Sequence, residues 1–236
     1  MGTFFYRMTN KDLIPPQRIA VLIDGAFFLK RFFYQYDKQQ SMTAKQVADA
    51  MYSMVHEHVR KRDILYRVFY YDCHPLSKTV CNPISHKNIS YGNTNVFKFK
   101  KELLEELKKK RKMALRMGDL KDHSVWHLKP GLLKKLIDKK ITVDDLEEDD
   151  VYLELKQQGI DMKIGVDIAS MTYKKLVDKI VLFAGDSDFV PAAKLARREG
   201  IDFVLDPMNA PIDPSLNEHI DGIHYAKYRK QGKKPK

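Results

Sequence analysis

The chain has 236 residues, 42 of them Lys or Arg and 31 Asp or Glu, for a formal net charge of +11, with 44% hydrophobic and 31% charged residues. That apolar fraction is too high for a disordered chain, and the length suits one large domain, or one domain with an insertion, around a sizeable core. No apolar run approaches a membrane span, Lys11, Asp12, Pro15 and Pro16 break up any leader-like segment, and two cysteines exclude a disulfide scaffold, so a reducing, cytoplasmic location is the expectation.

Residues 1–17 read as an N-terminal extension. Arg18 to Asp24 (RIAVLID) is a short apolar, β-favouring run that ends in an acid and a glycine, the pattern of a buried strand. Val47, Met51, Met54, Val55 and His58 recur at helical spacing, predicting an amphipathic helix over 43–60. Ile64 to Tyr71 is a second strand, closed by Asp72 and Pro75, and strand, helix, strand at this spacing is a parallel βαβ unit.

From His74 to about Asp161 the pattern loosens, and 78–100 and 131–160 read as elaborations on the core. Residues 98–112 form a basic helix with Leu103, Leu104 and Leu107 as its apolar stripe. Ser124 to Leu128 is a candidate third strand, and Leu132 to Ile137 a short helix. The acidic run 144–150 that follows suits either a partner site or a mask for the basic tail.

Regularity returns with a helix over 165–177, for which Val166, Ala169, Tyr173, Leu176 and Val177 are the expected inward residues. A strand over 179–184, a helix over 187–199 closed by Gly200, a strand over 201–205, a short helix from Ser215 and a last strand over 222–225 complete the domain, which runs over 18–224. The tail 225–236 carries six basic residues and no acid; with the excess of five on 98–112 it accounts for the whole net charge. Both segments suit phosphate attraction by a polyanion such as RNA, and equally a solvated surface.

Three separate segments deliver acids to one sheet edge. Asp24 follows the first strand, Asp186 and Asp188 follow the strand KIVLFA, and Asp167 is expected in the first turn of the preceding helix. Loops after parallel strands emerge together, where ligands of such sheets bind. Asp72 points to the same edge. Carboxylates gathered without intervening cations suit a hard divalent ion, Mg²⁺ or Mn²⁺. Each acid alone reads equally well as a turn former or helix cap; their convergence does not. Cys73, His74, Cys81 and His86 match no standard zinc spacing. Most of Phe27, Phe28, Phe32, Phe33 and Tyr34, like Trp126, read as packing residues more than as base-stacking platforms.

The segments IDGAFF (23–28), FYYDCHP (69–75), KIGVDIAS (163–170), FAGDSDFVPAAKLARREG (183–200) and PSLNEHIDGI (214–223) resemble, in order, the motifs of the NYN domain, the LabA-like branch of the PIN-like nucleases. The resemblance implies a three-layer α/β/α PIN-like (Rossmann-like) fold with a mainly parallel central sheet and a helical insertion. It also implies Mg²⁺- or Mn²⁺-dependent hydrolysis of single-stranded or structured RNA. By motif position Asp24, Asp167, Asp186 and Asp188 would be the catalytic, metal-holding acids, with Ser187, Lys163 and Asp72 as substrate contacts and Asp221 as the acid of the closing helix. One departure stands out: where many members carry an asparagine shortly after the first aspartate, this chain has Ala26, Phe27 and Phe28. That keeps a catalytically weak RNA-binding or protein-binding regulator as the alternative. A phosphatase of the haloacid dehalogenase type would need an acid at position 26, which is alanine. A homo-oligomer is compatible with all of this, and a membrane partner is not expected.

Overall fold

The computed structural model describes residues 15–121 and 125–228; the N-terminal extension up to residue 14 and the last eight residues of the basic tail lie outside them. In chain order the elements are β1 (Arg18–Asp24), α1 (Gly25–Tyr36), α2 (Ala44–Glu57), β2 (Ile64–Cys73), β3 (Thr79–Cys81), β4 (Asn88–Ser90), α3 (Asn95–Lys108), β5 (Met113–Lys121), β6 (Trp126–Leu128), α4 (Leu132–Ile137), β7 (Val151–Leu153), β8 (Lys156–Gln158), α5 (Ile160–Tyr173), β9 (Lys179–Phe183), α6 (Val190–Arg198), β10 (Asp202–Asp206), α7 (Pro214–Asn217) and β11 (Gly222–Ile223).

Seven strands form one sheet in the order β11-β10-β9-β1-β2-β5-β8. Every neighbouring pair is parallel except β5 with β8, which is antiparallel. β1 is therefore central, paired with β2 on one side and β9 on the other. Its residues Ile19 to Ile23 have no exposed surface, as a parallel strand covered on both faces requires.

Alternation along β1 sends its side chains into two separate cores. Ile19, Val21 and Ile23 pack with Phe28 and Phe32 of α1, Val47 and Met51 of α2 and Leu103 and Leu107 of α3. Ala20 and Leu22 pack instead with Ile164 and Ile168 of α5 and Ala193 and Ala196 of α6. The fold is thus mixed α/β, with a mostly parallel sheet and helical residues against both sets of strand side chains. Among the described residues no helix is long and apolar enough to cross a membrane.

Several elements differ from the sequence expectation. The third strand of the parallel sheet is β5, which the sequence pattern hides because MALRMGDLK carries charge and leaves most of its side chains partly exposed. The segment around 124–128 contributes only Trp126–Leu128, which pairs with β7 in a separate two-stranded sheet; residue 124 lies outside the described residues. α3 and β5 together continue the sheet beyond β2, so the basic helix covers the core through Leu103, Leu104 and Leu107. Much of its charge is compensated: Lys108 pairs with Glu105, Lys109 with Glu106, Lys110 with Asp49 and Lys100 with Asp72. In the acidic run, Asp145 and Asp150 cap two short 3-10 turns through the backbone N–H groups of Thr142 and Glu147, and Glu148 pairs with Lys87.

The helix expected from Gly165 instead begins at Ile160. Gly159, at φ +77°, lets the chain turn out of β8, and five residues of helix precede the expected start. This moves the buried face: Ile164, Ile168 and Met171 point inward, while Val166 and Tyr173 are 60% and 61% exposed. The segment after β9 is also divided, with a 3-10 turn over Ser187–Phe189 leading into α6.

Gly25 places the end of β1. A Cβ there would lie 2.5 Å from Cζ of Tyr70 and 2.8 Å from the Tyr71 carbonyl oxygen, too close for any other residue. Both neighbours belong to the adjacent strand, and Tyr70 has no exposed surface. Gly25→Ala is expected to destabilise the protein by about 1–3 kcal/mol through overpacking, measured as a lower denaturant midpoint at unchanged slope.

Candidate functional site

Asp24 is the last residue of β1 and the N-cap of α1, and its Oδ1 accepts the Phe27 N–H at 3.1 Å. Burial pushes its pKa up to about 6, and the neighbouring charges of Asp161 and Asp72 push the same way; the Phe27 and Ala26 amides oppose the shift. Asp161, in the first turn of α5, is raised as well, by burial and then by Asp188 and Asp186. Asp186 follows β9 and caps the Ser187–Phe189 turn, its Oδ1 accepting the Asp188 N–H at 3.2 Å. Buried Phe189 anchors that turn, and Gly185 lets the Phe27 ring approach to 3.1 Å of its Cβ position.

At the C-terminal edge of the sheet Asp161 thus acts on Asp24, and Asp186 and Asp188 act on Asp161. Among the described residues none of the four has a cationic partner within ion-pair distance. Ser187 stands between two of them, and Lys163 is exposed two residues beyond Asp161.

The other two acids singled out in the sequence are held differently. Asp72 is 2% exposed: Tyr70 Oη donates to its Oδ2 at 3.0 Å, and Lys100 Nζ, Gln157 Nε2 and the Cys73 N–H all donate to Oδ1. Its charge is compensated and out of reach of a substrate, which corrects the reading of Asp72 as a substrate contact; it acts on the site through Asp24. Asp167 lies more than a turn into α5, not in its first turn. Its Oδ2 accepts from Tyr71 Oη at 2.8 Å and Arg116 Nε at 3.0 Å. Burial and Asp167 keep the Tyr71 phenol protonated, a fixed donor to that carboxylate. Asp221, the acid of the closing helix, is structural: it accepts from Arg197 Nε and the Phe203 N–H, tying α6 to β10.

Asp161 joins this group although no motif singles it out; its sequence signal is the Gly-Ile-Asp at 159–161, which opens the helix once α5 starts at Ile160.

The donor set suits a hard divalent cation. It is all carboxylate, and Asp24 and Asp161 are raised by burial first and by neighbouring acids second, the part that a bound cation would relieve. Among the described residues no three His, Cys, Asp or Glu side chains are gathered tightly enough to hold an ion as they stand.

The family model of the NYN domain matches residues 18–212. Among curated proteins none matches in sequence. A crystal structure of a protein of unknown function from Vibrio parahaemolyticus RIMD 2210633 is similar over 90% of this chain and 94% of that one, at 12% identity and a TM-score of 0.46.

A pH dependence follows from Asp24. Because its pKa is higher in the folded chain than in the unfolded one, the folded state binds the extra proton between about pH 4 and 6, so this group's contribution to stability falls as pH rises through that window and stays low above it. Asp24→Asn removes the penalty and is expected to stabilise the protein at pH 7.5, by at most about 3 kcal/mol, with the gain vanishing near pH 4; denaturant melts at the two pH values measure this.

Proposed function

The chain belongs to the NYN domain family, whose members are largely nucleases of the PIN-like superfamily acting on RNA, and on that premise we propose that it is a divalent-metal-dependent ribonuclease with a three-layer α/β/α arrangement. The observation that carries this reading is the placement of Asp24, Asp161, Asp186 and Asp188 at the edge where parallel strands present ligands, with Asp161 acting on Asp24, Asp186 and Asp188 acting on Asp161, and no cationic partner among the described residues.

In this reading Mg²⁺ or Mn²⁺ would be held by Asp24, Asp186 and Asp188 together with Asp161, drawn closer than they stand. When bound, such an ion supplies an activated water and offsets the charge of the phosphoryl transition state. The chain's own residues do the rest. Asp24 is held at the end of β1 by its N-cap bond to the Phe27 N–H, and Gly25 lets the chain turn there against Tyr70 and Tyr71. The Ser187–Phe189 turn fixes Asp186 against Asp188, and Ser187 and exposed Lys163 are the groups best placed to donate to a phosphate. Asp167, which the family motif assigns to the acidic set, serves here as a positioning residue: it holds Tyr71 beside Asp24, since Asp24 and Tyr71 are register partners across β1 and β2. A weakly catalytic RNA-binding regulator is the second reading, favoured by Ala26 in place of the common asparagine and by the Arg116 charge on Asp167.

The test is incubation of the protein with labelled single- and double-stranded RNA in Mg²⁺, Mn²⁺ or chelator, beside single variants. Asp24→Asn and Asp186→Asn are expected to lose at least about 100-fold in rate, the scale of removing a group that stabilises transition-state charge. Asp161→Asn should cost more than Asp167→Asn; the reverse order would return Asp167 to the ion-holding set. Undiminished, chelator-resistant cleavage in Asp24→Asn and Asp186→Asn would end the proposal. Mn²⁺ should also raise the melting temperature of the wild type and not of Asp24→Asn, a readout that needs no turnover.

A further inference from the structure

The elaboration between β2 and α5 forms an open-mouthed cavity of about 310 Å³ at the end of β2. Its walls are apolar and partly aromatic: Tyr91, Val96 and Phe97 come from the turn before α3 and its first residues, Leu120 from β5 and Leu155 from the segment before β8. The volume is at the small end for ligand pockets and suits a single ring system more than an extended chain.

Two features tie it to the acids. Cys73 and His74 form part of its lining, and Cys73 lies two residues past Tyr71, the register partner of Asp24, so the cavity opens at the same sheet edge one strand away. Lys100 and Gln157 also line it, and both donate to Oδ1 of Asp72, whose charge in turn raises Asp24. The wall of the cavity is therefore hydrogen-bonded to Asp72, whose charge acts on Asp24. On its rim Val96 is 67% and Leu155 38% exposed, an apolar exposure that a flat ring would cover. Past His74, Pro75 and Phe97 lies a groove lined by Lys101, Lys108 and Glu105; Lys108 pairs with Glu105, which leaves Lys101 as the cation offered to an anionic chain.

An apolar, aromatic slot at the sheet edge that carries the acids, with Lys101 at its exit, matches an aromatic heterocycle attached to a phosphate backbone. We propose that this cavity binds one unpaired nucleobase of the substrate and so fixes which phosphodiester faces the acids. The proposal rests on RNA being the ligand of the acidic site. It gives the elaboration a role that no residue of the carboxylate group performs: Phe97 and Tyr91 supply the stacking surface, and Gln157 and Lys100 present polar groups to the ring edge.

Binding of the four nucleoside 5′-monophosphates and of ribose 5-phosphate to the full chain, measured by calorimetry in chelator, tests this without any cleavage. At least one mononucleotide should bind about tenfold or more tightly than ribose 5-phosphate, the scale of one base–aromatic contact. Leu155→Trp, which fills the cavity from its exposed rim, should remove that difference and leave ribose 5-phosphate binding unchanged; Phe97→Ala should remove it too, with thermal melts showing both variants folded. Equal binding of ribose 5-phosphate and all four mononucleotides, or a Leu155→Trp protein that binds them as the wild type does, overturns the proposal. Because cleavage is read separately, an active nuclease with no base-dependent binding defeats only the pocket, and base-dependent binding without cleavage defeats only the ribonuclease.

Discussion

Parallel pairing of β1 with both β2 and β9 is the constraint from which the rest of the molecule follows. A central parallel strand can hydrogen-bond on both sides only if its neighbours run the same way, so the chain must return through a helical crossover after each strand. Those crossovers bury the two faces of β1, which is why Ile19 to Ile23 are wholly inaccessible. They also bring the ends of β1, β2, β9 and β10 to one edge. Asp24 gains its position from that topology, and so do Asp186 and Asp188.

The cost of the arrangement is electrostatic. Asp24 sits where burial first, and then the charges of Asp161 and Asp72, favour its neutral form and push its pKa up to about 6. The protein compensates one member of the neighbourhood completely: Asp72 is enclosed by Tyr70, Lys100, Gln157 and the Cys73 amide. Asp167 is compensated by Arg116 and Tyr71. Compensation of these two and not of the other four separates acids that hold the framework from acids available to a ligand. The same Lys100 and Gln157 connect the framework to the apolar cavity, so the region of lowest sequence regularity is joined to the region of highest.

Two acids with similar sequence context therefore divide by helix geometry. Asp161 and Asp167 are six residues apart, which is 240° beyond a full turn at 3.6 residues per turn. One faces the acids after β9, the other faces Tyr71 and Arg116. Motif position singles out the second; the start of α5 at Ile160, just after Gly159, sets the first among the acids that act on Asp24.

The sequence by itself determined much of the framework. The apolar run at 18–24, the amphipathic spacing of α2, the strand–turn–helix around 179–198 and the family motifs in order are local patterns, and they were sufficient for a parallel α/β core with Asp24, Asp186 and Asp188 at its edge. Local patterns could not reveal β5, because a strand paired on one side by parallel bonds over part of its length and crossed by antiparallel β8 carries no clean alternation. Nor could they tell Asp161 from Asp167, or show that Asp72 is enclosed, since both depend on partners 28 to 96 residues away in the chain: Lys100 and Gln157 for Asp72, Tyr71 for Asp167. The net charge of +11 came from two segments legible at once; that much of the first is spent on Glu105, Glu106, Asp49 and Asp72 was decided only when the helix packed against the sheet.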